Sequence, residues 1–155
     1  MKKLLGFSIF LVFVLIASLT AEAKVTLPAI FSDNMVLQQN TQVNVWGKAA
    51  PGEKVTVKAS WLDKAVTAKA AANGKWTVKL KTPKAITNQS VTVSSENEIT
   101  INNVLIGEVW LCTGQSNMEF PVSRHPDVKW NTGMLNEAEE LKDADYPEIR
   151  LFHVK

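Results

Sequence analysis

Cysteine is nearly absent from this chain of 155 residues: Cys112 stands alone, so no disulfide can close within it. Histidine is almost as scarce, with only His125 and His153. No CxxC, HExxH or other cluster at ligand spacing occurs, so neither a metal site nor a cofactor is expected. An excess of one charge is missing too. The 17 Lys and Arg nearly offset the 15 Asp and Glu, leaving a formal net charge of +2, and both signs are scattered with no basic stripe. That speaks against nucleic acid as a partner, because neutralising phosphates takes clustered Lys and Arg. A near-neutral surface suits an uncharged or weakly charged substrate.

Only one long apolar run is present, and it stands at the start. Lys2 and Lys3 precede an almost unbroken stretch from Leu4 to Leu19, and Ala21-Glu22-Ala23 supplies a small-x-small site. Residues 1–23 therefore read as a signal peptide cleaved after Ala23, which implies a secreted or periplasmic protein with no membrane attachment after cleavage. A retained anchor is the alternative, but the run falls short of the roughly 20 residues that span a bilayer.

From Lys24 to Asn103 the signal is period two. Val43 and Val45, then Val55, Val57 and Ala59, then Val66, Ala68 and Ala70, then Trp76, Val78 and Leu80 alternate with polar residues. Val91 and Val93, then Ile99 and Ile101, continue the pattern. Alternation gives each strand one apolar and one wet face. Pro51-Gly52, Asn73-Gly74 and Glu96-Asn97 mark turns, the second a tight hairpin, and Pro83 closes a strand. Short strands at this spacing predict an antiparallel β sandwich over 24–103.

The pattern changes at Val104. Val104-Leu105-Ile106 and Val109-Trp110-Leu111-Cys112 are nearly continuous apolar runs around Gly107-Glu108, as in a strand buried on both faces of a parallel sheet. A polar turn follows, then a loop with Pro121 and Pro126, and Thr132 to Asp143 carries Met134, Leu135, Ala138 and Leu141 at helical spacing. Ile149 to Val154 predicts another strand. Residues 104–155 thus read as the first strand-turn-helix-strand of an α/β domain. One helix cannot cover both faces of such a sheet, so a remainder is expected beyond Lys155.

Ser116 falls directly after the apolar run, at the carboxyl end of the predicted strand, where open α/β sheets bind ligands. A sharp turn there lifts the hydroxyl outward, amides of a following helix can help hold an oxyanion, and a nearby base can activate the oxygen. Serine also caps helices and fills turns, and Met118 breaks the GxSxG pattern. On pattern alone, both roles stand.

The longer string Gly107-Glu108-Val109-Trp110-Leu111-Cys112-Thr113-Gly114-Gln115-Ser116-Asn117-Met118-Glu119 resembles the first block of the sialate O-acetylesterase family, which are SGNH-type hydrolases with a flavodoxin-like catalytic domain. Leu27-Pro28, Phe31 to Gln38, Val45-Trp46-Gly47 and Asn73 to Trp76 resemble that family's amino-terminal β domain, and Tyr146 to Phe152 its next strand. The resemblance implies removal of O-acetyl groups from a sugar or glycan through an acetyl-enzyme on Ser116. It also implies that the oxyanion-hole Gly and Asn, and a His base often preceded by Asp, come from later blocks. The chain is therefore expected to lack its carboxyl-terminal catalytic portion and to be inactive alone.

Other residues carry weaker expectations. Gln115 and Asn117 flank the nucleophile near the substrate and oxyanion, and Asn117 could equally just orient the turn. His125, in a His-Pro loop, and His153, in a strand, read as solvated and as partly buried. Trp46 and Trp76 read as core, Trp130 as a pocket wall, and Cys112 as a buried small hydrophobe. From a different class, the rival function is a non-catalytic secreted β-sandwich module that binds glycans or a neighbouring domain.

Overall fold

The computed structural model describes residues 24–118, 120–124, 127, 129 and 132–154, with the side chain of Asn117 set aside. The expected signal peptide, His125 and Trp130 lie outside these residues.

Among the described residues seven strands form, six of them where the period-two signal or the apolar run at Val104 predicts one, while β1 was not foreseen. They are β1 (Val36–Gln38), β2 (Gln42–Lys48), β3 (Lys54–Ala59), β4 (Val66–Lys69), β5 (Lys75–Lys81), β6 (Ile86–Ser94) and β7 (Glu98–Gly107). Five make one sheet in the order β1-β7-β6-β3-β4, and β2 pairs with β5 in a separate two-stranded ribbon. Apolar residues from both meet in one core. Val45, Trp76, Val78 and Leu80 come from the ribbon, and Val55, Val57, Val91, Val93, Ile101, Val104 and Ile106 from the larger sheet. Alternation is followed closely: in β5, Trp76, Val78 and Leu80 are buried while Lys75, Thr77, Lys79 and Lys81 are exposed. Each fully buried Val or Leu contributes about 1.5–3 kcal/mol.

Two features depart from the expectation of antiparallel neighbours. Asn73-Gly74 makes a turn, with Gly74 at φ 75° and its amide donating to Ala71 O at 2.8 Å, but the strands it joins enter different sheets. The tight hairpin is β6–β7, where Val91 opposes Ile101 and Val93 opposes Ile99. In addition, β1 runs parallel to β7, Val36 opposite Leu105 and Gln38 opposite Gly107. That pairing spans about 70 positions, and no local pattern announces it.

Trp46 corrects a further expectation. It is 42% exposed on the outer face of the ribbon, with its ring 4.6 Å from that of Phe31 at an interplanar angle of 78°. Trp76 does join the core. The neighbouring Gly47 is there because nothing larger fits: a Cβ would lie 2.2 Å from Thr26 O and 2.9 Å from Trp76 Cζ2.

The largest difference lies after Gly107. Strand β7 continues through the Asn103-Val104 junction, with Asn103 at φ 52° inside it, and buries Val104, Leu105 and Ile106 between β1 and β6. Among the described residues beyond it no strand occurs. Val109 to Cys112 and Ile149 to Val154 are irregular and, apart from the half-buried Arg150, exposed, so Cys112 and His153 are not buried. The physical reason is pairing: a strand needs neighbours for its amides and carbonyls, and no described segment pairs these two. The helix forms only as α1 (Glu137–Asp143), shorter than predicted and with no buried residue. Asn136 at its start sits at φ 63° and gives no side-chain cap, so nothing stabilises an earlier first turn.

Candidate functional site

The segment carrying Ser116 departs from the end of β7, and a hydrogen-bond cluster fixes how it departs. Gln38 and Gln39, at the end of β1, both donate to the Glu108 carboxylate, Gln38 Nε2 to Oε2 at 3.0 Å and Gln39 Nε2 to Oε1 at 2.6 Å. Each glutamine uses its other end too. Gln38 Oε1 accepts from the Val109 amide at 2.8 Å, and Gln39 Oε1 from the Ala85 amide at 2.8 Å. The Gln39 amide donates to Gly107 O at 2.8 Å, and the buried Thr82 hydroxyl to Gln38 O at 2.7 Å. Hydrogen bonds to the charged form favour it, so the Gln38 amide, then that of Gln39, hold the Glu108 carboxyl below its ordinary value of 4.5. Glu108 was visible in the sequence as a break between apolar runs and as part of the string around Ser116, with no role given to it there. Its role depends on the parallel β1–β7 pairing.

Beyond this anchor Trp110 and Leu111 are 83% and 89% exposed, and the chain runs on, irregular and exposed, to Gly114 and Gln115. Ser116 opens a single 3₁₀ turn, Ser116–Met118, within the polar turn the sequence predicts. The Met118 amide donates to Gln115 O at 2.9 Å. The Met118 side chain folds back so closely that a Cβ on Gly114 would stand 2.5 Å from its Cγ. Gly114 therefore sets the shape of this turn. Ser116 and Gln115 are exposed, and no described residue hydrogen-bonds the Ser116 hydroxyl.

After the turn the chain doubles back. The Met134 amide donates to Val122 O at 3.0 Å, Arg124 Nε to Thr132 O at 3.4 Å, and the Arg124 amide to Glu137 Oε2 at 3.2 Å. Gly133, at φ 75°, leaves room for that last bond, because a Cβ there would lie 2.6 Å from Glu137 Oε2. The final segment is anchored through Arg150. Its guanidinium donates to the Asn103 carbonyl and, through Nη2, to Asn103 Oδ1 at 3.1 Å. Asn103 Nδ2 in turn donates to Asn34 Oδ1 at 2.7 Å.

The arrangement thus brings Gln115 and Ser116 together on an exposed turn tied to the β domain through Glu108. It brings no described histidine to that serine. Among the described residues, no group of three or more His, Cys, Asp or Glu is arranged to hold a metal ion.

No protein-family model matches the chain. The sialate O-acetylesterase of Mus musculus is 30% identical over 138 residues, 81% of this chain and 24% of the mouse protein. That of Homo sapiens is 28% identical over 134 residues, 79% of this chain and again 24% of the relative. The chain therefore spans about a quarter of the length of these curated relatives. Among solved structures, a carbohydrate acetylesterase of Xanthomonas citri aligns with a TM-score of 0.61 at 36% identity, covering 66% of this chain and 23% of that one.

Proposed function

Because the chain belongs, over the stretch it shares, to a sialate O-acetylesterase-like family, we propose that it is the nucleophile-bearing part of an exported carbohydrate O-acetylesterase. Ser116 Oγ attacks the acetyl carbonyl carbon while a base takes its proton, and a backbone amide at the serine helps hold the oxyanion. Collapse of the tetrahedral intermediate expels the sugar oxygen, which leaves as the alcohol with that proton. Water then attacks the acetyl-serine, releasing acetate and restoring Ser116.

In this reading the base lies beyond Lys155, and residues 104–155 complete a flavodoxin-like α/β domain only with that remainder. The exposed apolar residues support it: Val109, Trp110 and Leu111, and likewise Ile149, Leu151 and Phe152, stand in solvent where a sheet would bury them. One observation carries the nucleophile assignment. Ser116 heads an exposed turn, shaped by Gly114 and Met118, on a segment pinned by Glu108.

The test is hydrolysis of an acetyl ester such as p-nitrophenyl acetate by the longer protein that this reading invokes. Ser116→Ala abolishes turnover if the assignment is right, and a variant as fast as the parent refutes it. The 155 residues alone hydrolyse the ester at or near the uncatalysed rate. Robust, Ser116-dependent turnover by them would overturn the placement of the base.

A further inference from the structure

Charges scattered along the sequence gather on one surface when β2 pairs with β5. Lys48 stands opposite Lys75, Asn44 opposite Lys79 and Gln42 opposite Lys81, and strand alternation turns all of these side chains outward. The two strands hold no acidic residue. Like charges placed directly opposite destabilise a sheet, so the Lys48-Lys75 pair works against the fold that contains it.

Trp46 sits within this face, opposite Thr77. Lys75 and Lys79 are its diagonal neighbours, about 7–8 Å away and within reach of long side chains. The buried ring of Phe31 packs against Trp46, which remains 42% exposed. At one end, Lys48 also lines an open depression with Lys24, Asn73 and Gly74. A held aromatic ring among cations and side-chain amides complements a sugar ring carrying carboxylates and hydroxyls.

We propose that the outward face of the β2–β5 ribbon binds an anionic glycan, with a sugar ring against Trp46 and carboxylates against Lys48, Lys75 and Lys79. Charge complementarity requires the anion; the choice of a glycan over other polyanions rests on the O-acetylesterase reading above. A second hold on the polymer would keep acetylated units near Ser116 between turnovers.

Binding is measured by titration calorimetry on the 155-residue chain, so no catalysis is involved. The probes are polygalacturonate and polysialic acid, with dextran, polyglutamate and single-stranded DNA for comparison. At least one acidic glycan is expected to bind, weakening as salt rises, while dextran does not and polyglutamate and DNA bind more weakly. Trp46→Ala lowers affinity about tenfold or more. The double variant K75Q/K79Q weakens binding and flattens its salt dependence without touching the Trp46-Phe31 contact. Ser116→Ala binds like the parent, so a failed nucleophile assignment and a failed glycan surface give different results. Equal binding to polyglutamate, tighter binding to DNA, or no binding to either acidic glycan overturns the proposal. So does a K75Q/K79Q chain that aggregates yet binds glycan unchanged, since those lysines would then serve only to guard exposed strand edges.

Discussion

Replacing Gly47 by alanine adds one carbon, and the geometry specifies what that carbon meets. It would lie 2.2 Å from Thr26 O and 2.9 and 3.1 Å from two atoms of the Trp76 indole. Gly47 has no positive φ, so its backbone conformation is open to alanine and the effect is steric. Thr26 and Lys48 exchange two backbone hydrogen bonds, at 2.8 and 3.0 Å, each worth about 0.5–1.5 kcal/mol net. Overpacking against a buried indole adds about 1–3 kcal/mol. Loss of both bonds with overpacking comes to about 2–6 kcal/mol, a large part of the 5–15 kcal/mol that typically holds a domain folded. At roughly 4–8 °C per kcal/mol for a domain of this size, melting followed by circular dichroism should fall by about 10 °C or more. Gly52→Ala is the control. Its φ is +81° but only Lys69 Cε lies nearby, at 3.7 Å, so it carries the left-handed penalty of about 1–2 kcal/mol alone. If Gly47→Ala melts no lower than Gly52→Ala, the close approach of β2, Thr26 and Trp76 is misread.

Three further outcomes test the anchor and the core. Glu108→Ala removes the shared acceptor of Gln38 and Gln39, so amide exchange at Val109 should quicken several-fold, with Glu108→Gln falling between; unchanged exchange would show that the carboxylate fixes nothing. Because Glu108 titrates below its ordinary 4.5, protection of Val109 should be complete above that value and lost as pH falls through the lowered one, whereas protection that persists in strong acid would contradict the network. Trp76 Nε1 is buried without a partner, so Trp76→Phe relieves an unpaired donor worth about 1–3 kcal/mol while leaving a small cavity. The melting temperature should therefore move far less than with Trp76→Ala, which costs about 3–5 kcal/mol; equal losses would mean that the indole nitrogen is satisfied.

Local patterns made the β domain legible because each strand's two faces differ. Val55-Val57-Ala59 and Trp76-Val78-Leu80 announce their own burial. The pairing partners were not legible. Asn73-Gly74 has the chemistry of a hairpin turn, yet its strands go to different sheets, β4 pairing with β3 and β5 with β2. The ribbon's basic face was hidden for the same reason: Lys48 and Lys75 meet only through the β2–β5 register. After Gly107 local signals alone misled. Val109 to Cys112 has the composition of a buried strand, but composition supplies no neighbour, and without one these residues stay in solvent. At the candidate site, the string around Ser116 singled that residue out, and the structure shows it exposed at the head of a turn. Its anchor, Glu108 between Gln38 and Gln39, needed the parallel pairing of β1 with β7.

The most direct measurement of the central claim is chemical trapping at the turn. The longer esterase is mixed with p-nitrophenyl acetate, quenched in acid during turnover and digested, and acetylated peptides are sequenced by mass spectrometry. An acetyl ester on Ser116 that hydroxylamine removes is the expected product, unlike the stable amides formed by stray reaction at lysines. Steady turnover with Ser116 unmodified, or with a labile acetyl group on another side chain, would contradict it.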